Sequence, residues 1–318
     1  MGIFSIIKAL TSGEVKEVEI DFKLDTNDKA GDSDDVYVED NKLVISREKL
    51  DVIIESIKKE TVRKVINIET TENNELKITD SKFGGYPYWP AGMEYPVNSH
   101  DERLILLAQI NLSDVRDPRL PDSGLLQYFI SCDDVNGYDD ENGFRVIYHK
   151  DIDPSATEES VKALGIRAVS DLSSDNDEYM PLYKSYSLTF SEGEEFINER
   201  CNTFEKAVAD KLRELYNVDM DKVEIKGFYK LYSFMDEKDY DHLSEAFCGG
   251  TGHKIFGYPF FTQDDPRCDG ENDILLFQMD SEGQDIMWGD SGVGGFFIDE
   301  ENLKNQNFDK AFFTWDCY

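Results

Sequence analysis

The sequence predicts an α+β fold: two pseudo-symmetric, antiparallel β-rich repeats with a few flanking helices, preceded by a small N-terminal β extension. The first observation behind this is a set of collinear echoes. K-F-G-G-Y-P-Y-W at 82–89 returns as K-I-F-G-Y-P-F-F at 254–261, so Lys82, Gly85, Tyr86 and Pro87 recur 172 positions on as Lys254, Gly257, Tyr258 and Pro259. The second is how the offset drifts. L-L-A-Q-I with Gln109 is answered by L-L-F-Q-M with Gln278 at offset 169, and D-S-G at Asp122 by D-S-G at Asp290 at offset 168, which also sets Phe144, Val146 and Ile147 over Phe312, Thr314 and Trp315. A drift of four residues across ordered blocks is what loop insertions leave in a duplicated unit. The third is that strand-like and helix-like segments are segregated and do not alternate steadily, which favours antiparallel pairing.

Taken in order, residues 3–10 read as an amphipathic helical segment, and Val18, Ile20, Phe22 and Leu24 alternate with charges as a half-buried strand does. The polar linker at 27–35 breaks the pattern, and V-Y-V-E-D-N-K-L-V-I suggests a hairpin, so 1–47 form an extension outside the duplicated body. Leu50, Ile53, Ile54 and Ile57 have helical spacing, with Ser46 as cap. V-I-N-I and L-K-I-T predict two strands joined by T-T-E-N-N-E, and 103–112, 125–130 and 144–148 predict three more. Residues 157–164 read as a short helix. The longest helical candidate is 191–216, with Ser191 and Glu194 at capping-box spacing and an apolar face of Phe196, Ile197, Cys201, Phe204, Val208, Leu212 and Leu215. Residues 228–234 alternate like a strand, 240–247 like a short helix ended by Cys248-Gly249-Gly250. The body is thus 48–318, with repeats at about 63–150 and 226–318 and a helical connection at 151–225.

Composition narrows the partners. The 67 acidic and 33 basic residues leave a net charge of −34, which argues against nucleic acid or an anionic membrane, since both demand a basic footprint. A basic protein, a cation or plain solubility remains. Five dispersed cysteines without a C-x-x-C pair are a reduced, cytoplasmic pattern. The single lysine of the N-terminal segment follows its apolar run, and no stretch of twenty apolar residues occurs, so neither a signal peptide nor a membrane span is expected.

Catalytic constellations are weak. Gly289-Asp290-Ser291-Gly292 has the string that surrounds a serine protease nucleophile, but Asp122-Ser123-Gly124 repeats it in the other copy, as a turn before a strand would. His100, His149, His242 and His253 lie in no triad context. Cys248, His253 and Cys268 lack a fourth zinc ligand, and Asp264, Asp265, Asp269, Glu271 and Asp273 miss calcium-loop spacing. No catalytic residue, metal or cofactor is assigned.

The binding candidates come from the repeated blocks. Tyr88 and Trp89 follow a rigid G-Y-P corner, where aromatics either grip a partner or plug a sheet. Gln109 and Gln278 lie in apolar strands and must find partners, in the neighbouring loops or in a cleft between the copies. Gln263, Asp264, Asp265 and Arg267 form Q-D-D-P-R, where the arginine either clamps Asp264 or Asp265 or contacts an anion. Trp288 and Asp290 complete the set.

F-G-G-Y-P-Y-W-P at 83–90, L-L-A-Q-I-N-L at 106–112, G-Y-P-F-F-T-Q-D-D-P-R at 257–267, M-W-G-D-S-G-V-G at 287–294 and F-F-T-W-D-C-Y at 312–318 together resemble the YwqG-like family of bacterial proteins, over about 50–318. The resemblance implies a cytoplasmic α+β protein with no established activity, and a contextual suggestion of immunity proteins in toxin systems. The expected function is therefore a non-enzymatic binding protein that meets a basic partner, with immunity against a basic toxin as its particular form. The alternatives are a small-molecule or metal-binding site, enzymatic or not, in a cleft between the repeats near Gln109, Gln278, Trp288, Asp290 and Arg267, or a scaffold whose working part is 1–47.

Overall fold

The structure is a computed structural model, and it describes residues 6–11, 14–19, 36–224, 230–267 and 272–318. Ile20, Phe22, Leu24, the linker at 27–35, Cys268, Asp269 and Glu271 lie outside the described residues.

Ten strands form one antiparallel sheet, and its order displays the duplication. The first repeat supplies β6 (Lys82–Phe83), β7 (Ile105–Asn111), β8 (Leu125–Ile130) and β9 (Phe144–His149); the second supplies β11 (Lys254–Phe256), β12 (Ile274–Asp280), β13 (Val293–Ile298) and β14 (Phe312–Asp316). Between them run β5 (Arg63–Glu72) and β10 (Tyr186–Glu195), in the order β14-β13-β12-β11-β5-β10-β6-β7-β8-β9. The strand preceding each repeat pairs with the other repeat: β5 with β11, β10 with β6. Even the irregularities are copied, since β7 and β12 each carry a bulge at the equivalent place, Leu106/Ala108 and Leu275/Phe277.

The sheet curls until its two outer edges face each other. Tyr128 of β8 meets Phe296 of β13 at 5.0 Å between ring centres, Phe144 meets Phe313 at 5.6 Å, and the Trp315 indole N–H donates to Val135 O at 2.8 Å. Burying these inner-face aromatics removes them from water, the main drive for closure. Smaller clusters cover the outer face at equivalent places: Trp89, Leu106 and Phe129 in the first half, Phe261, Leu275 and Phe297 in the second.

A helical layer packs beside the central strands. α1 (Arg47–Glu60) is capped by Ser46 and buries Leu50, Ile53, Ile54 and Ile57, as its spacing predicts. It shares one core with α3 (Phe204–Tyr216), α4 (Lys230–Phe234), α5 (Glu237–Phe247) and the hairpin β3 (Val36–Glu39) and β4 (Lys42–Ile45). That hairpin turns at Asp40 and Asn41, with φ of 49° and 62°, the geometry of a tight two-residue loop. α2 (Glu158–Ala163) covers the first half and α6 (Glu300–Lys304) follows β13.

Four expectations are corrected. Residues 6–10 are a strand, part of β1 (Ile6–Thr11), paired with β2 (Glu14–Glu19); the β-branched Ile6 and Ile7 and an alternating E-V-K-E-V-E partner outweigh the helical spacing. L-K-I-T is no strand, because β5 runs straight through V-I-N-I-E-T-T-E and the chain turns after it. Residues 191–195 belong to β10, so Ser191 and Glu194 are strand residues and the helix starts at Phe204; Gly193 weakens a helix there, and ten-residue pairing with β5 offers the backbone more. Residues 230–234 are helical, with Leu231 and Phe234 turned into the helical core.

Candidate functional site

Each repeat is braced by one glutamine. Gln109 Oε1 accepts the Tyr88 N–H at 2.9 Å while its Nε2 donates to Ile78 O and Asp80 O, both at 2.9 Å. Gln278 repeats this with Phe260 N–H at 2.9 Å, Gly250 O at 2.9 Å and Gly252 O at 2.8 Å. An unpaired buried amide costs about 1–3 kcal/mol, and these two are fully matched inside their own halves. They meet no common cleft.

The first half extends this bracing inward. Gln127 Nε2 donates to Tyr88 O and Gln109 Oε1, each at 2.8 Å, and its Oε1 lies 2.8 Å from His149 Nε2. Burial lowers the His149 pKa to about 4, so the imidazole is neutral and its Nε2–H is the donor. Tyr88 and Trp89 are held inside: Tyr88 OH accepts Asp153 N–H at 2.7 Å, and the Trp89 indole donates to Met93 O at 3.1 Å against Tyr95 and Phe129. Trp288 is buried against Phe313 and Trp315, and its indole nitrogen has no hydrogen-bond partner among the described residues. Asp290 is exposed on the D-S-G turn. There Ser291, with φ of 59°, reaches Met287 Sδ at 3.9 Å, and among the described residues no base is paired with its hydroxyl.

Three candidates do come together. Gln263, Asp264 and Asp265 line one side of an open cleft of about 950 Å³, whose other side is formed by Glu199, Glu205 and Tyr232 beside α3, α4 and α5. The loop 257–267 is held in place there by Asn198 Nδ2 to Pro259 O at 2.8 Å and Asn202 Nδ2 to Arg267 O at 3.1 Å. Arg267 grips Asp265 with two bonds of 2.9 and 2.7 Å and lies 4.5 Å from the Phe297 ring centre. That pair is internally neutral. Gln263 is tied to Asp316 and to Cys317 O, at 2.8 and 2.7 Å. Asp264 stands exposed with no ion pair among the described residues, while Glu205 accepts the Leu231 N–H at 3.1 Å. Among the described lining residues Arg200 is the one cation, against the three carboxylates of Glu199, Glu205 and Asp264 that Arg267 does not neutralise. Cys201, also in the lining, has its thiol pKa pushed up to about 11 by burial and stays protonated. The cleft is therefore suited to holding a cation next to an aromatic.

A second, smaller hollow of about 480 Å³ lies at the seam, where the first half's loop bearing Asp117 and Arg119 leans on β5 and β11. Arg119 is bound to Asp117 at 2.8 and 2.7 Å and rests 3.6 Å over the ring of Phe256. Phe256 takes φ of 65°, as its counterpart Gly84 takes 64°, so a bulky side chain occupies a conformation that favours glycine. Neither this hollow nor the glutamate rim of the larger cleft is signalled by sequence motifs; both arise from residues far apart in the chain.

Among the described residues, no group of three or more His, Cys, Asp or Glu side chains could hold a metal ion, and no helix is long and apolar enough to cross a membrane. Geometry thus defines a duplicated, glutamine-braced β unit carrying an acidic cleft. The chain belongs to the family described as Domain of unknown function (DUF1963), whose profile matches residues 81–317, nearly all of both repeats. No curated protein matches the chain.

Proposed function

We propose that the protein is a non-enzymatic binding protein whose acidic cleft receives a basic segment of a protein partner. The observation that carries this is the cleft's lining: Glu199, Glu205 and Asp264, not counting Asp265, which Arg267 neutralises, beside Arg200 as the one arginine among the described lining residues, with Tyr232 52% exposed on the rim. A net charge of −34 adds a long-range pull on any cationic partner, and complementary charge raises association rates most at low salt. The YwqG-like resemblance fits a bacterial, cytoplasmic member of this kind, and inhibition of a basic toxin is the particular form we favour. A small-molecule site between the repeats is supported by the seam hollow, whose residues differ from those the sequence suggested.

The test is titration with an oligo-arginine peptide, followed by calorimetry at two salt concentrations. Binding is expected to weaken as salt rises, and the combined variant Glu199→Gln, Glu205→Gln, Asp264→Asn is expected to lose about tenfold or more in affinity. Binding that ignores both salt and the triple variant would remove the proposal.

A further inference from the structure

The two buried lysines that open the G-Y-P blocks share a position and differ in what holds them. Lys254 Nζ is bound by both oxygens of Glu195 at 2.8 and 3.1 Å, and Glu195 Oε2 also accepts the Tyr258 N–H at 2.9 Å. Lys82 is buried as deeply, 2% exposed against 1%, yet its Nζ donates only to the backbone carbonyls of Lys77 and Ile78, at 3.1 and 3.2 Å. No carboxylate among the described residues forms an ion pair with it; Asp80 and Glu158 act on its charge only from a distance.

Strand register identifies the carboxylate that the first half does not use. Lys254 lies opposite Asn67 of β5, and Lys82 opposite Ser187 of β10, so β5 and β10 correspond at an offset of 120 and the counterpart of Glu195 is Glu75. But β5 ends at Glu72, and Asn73 Oδ1 takes the Glu75 N–H at 2.9 Å in a turn that leaves Glu75 exposed. The backbone of the slot is nonetheless the same in both halves, with φ of 70° at Gly85 and 75° at Gly257. A Cβ built on Gly257 would sit 2.4 Å from Glu195 Oε2, whereas at Gly85 the nearest atom is Ser185 Oγ at 3.3 Å. Ser185 stands where the second half has Val65, so the first-half slot has lost a carboxylate and gained a hydroxyl.

We propose that Lys82 Nζ, the Tyr86 N–H and Ser185 Oγ form a binding site for the carboxylate of a ligand, in the manner in which Glu195 is held in the second half. Lys82 Nζ and the Tyr86 N–H are the counterparts of the two donors that hold Glu195, Ser185 Oγ borders the same slot at Gly85, and charge-assisted bonds to a buried ammonium are the strong ones. Burial lowers the Lys82 pKa to about 8, and a bound carboxylate restores the charge that burial penalises. In the second half Glu195 is 18% exposed, so the carboxylate position there is open to solvent at its edge, and in the first half Gly85, Tyr86 and Ser185 are likewise only half-buried.

The experiment follows the Tyr86 and Tyr258 amide resonances of the full chain by nitrogen-edited NMR. Acetate, inorganic phosphate, and a short peptide with a free or an amidated C-terminus are added in turn. Tyr86 is expected to shift saturably with acetate and with the free-terminus peptide, more weakly with phosphate, while Tyr258 stays still. A free-terminus peptide binding far more tightly than acetate identifies a chain terminus as the source, and equal binding a small-molecule acid; the amidated peptide should do nothing. Lys82→Met is expected to weaken binding about tenfold or more, the loss of one charge-assisted bond. Ser185→Val, which copies the second half, should weaken it a few fold and serves if Lys82→Met does not fold. The proposal is overturned if Tyr86 ignores every carboxylate, if phosphate binds better than acetate, if Lys82→Met responds like the wild type, or if Glu75→Gln moves Tyr86 with no anion added, since Glu75 would then fill the slot itself.

Discussion

In the first half the outer face of the sheet is closed by Trp89, Tyr95 and Phe129, and a buried polar side chain, Gln127, links Gln109 to His149. In the second half glycine stands in place of Gln127, the aromatic cover shrinks to Phe261, Leu275 and Phe297, and Arg267 clamped by Asp265 lies over it. The bonds common to both halves are those that fix backbone: Gln109 and Gln278 to their loops, and the two bulges. Besides Gln127, the features present in only one half are the partners of charged groups: Glu195 on Lys254 against the bare Lys82, and Asp265 on Arg267. Duplication has preserved the frame and let the ionic groups diverge.

The most severe test of this comparison is Glu195→Gln. It leaves Lys254 buried without its counter-charge, and breaking a buried pair typically costs about 3–5 kcal/mol, read as a fall in urea midpoint with unchanged slope. A loss under about 1 kcal/mol would mean that Lys254 tolerates the isolation that Lys82 already endures.

Next in size, Gln109→Leu and Gln278→Leu each strand one N–H and two carbonyls. A penalty of about 2–3 kcal/mol is expected for either, somewhat larger at Gln109, whose loss also orphans a bond from Gln127. A neutral result in one half only would show that half to be braced by something else.

Acid should separate the halves further. The folded pKa of His149, about 4, lies below its ordinary 6.5, so between these values the unfolded chain binds more protons and stability falls as pH falls. The His149 share of that loss is on the order of 3 kcal/mol, complete below pH 4 and absent above 6.5. Denaturation at pH 7 and pH 4.5 of the wild type and His149→Gln measures it, and equal acid losses in both would refute it. The smallest effect is expected at Glu75→Gln, within about 0.5 kcal/mol of wild type, because the counterpart of Glu195 is exposed and unpaired.

Much of the frame was legible because the duplication wrote it twice. The blocks around Gly85, Gln109 and Asp122 recur because each is held by the same local bonds, and α1 announced itself through Ser46 and its stripe of Leu50, Ile53, Ile54 and Ile57. β10 was missed because S-E-G-E-E runs into a helical stripe beginning at Phe196, and what makes it a strand is β5, more than a hundred residues away. Of the candidate site, Gln263, Asp264 and Asp265 were found through Q-D-D-P-R, but Glu199 and Glu205 look like ordinary helix-flanking acids until folding sets them opposite. The recurrence of Lys82 as Lys254 was visible; a charged residue opening a buried strand in both copies was a signal whose meaning depended on Glu195, which no local pattern connects to it.

The pairing of β5 with β11 and of β10 with β6 means that neither repeat completes its own sheet. A single copy, with its leading strand, carries an edge that only a second copy can satisfy, and two such copies related by a twofold axis would rebuild the ten-strand order as a mutually exchanged dimer. The covalent chain is that dimer with its subunits joined, and joining them freed each half to mutate alone, which a symmetric homodimer can never do.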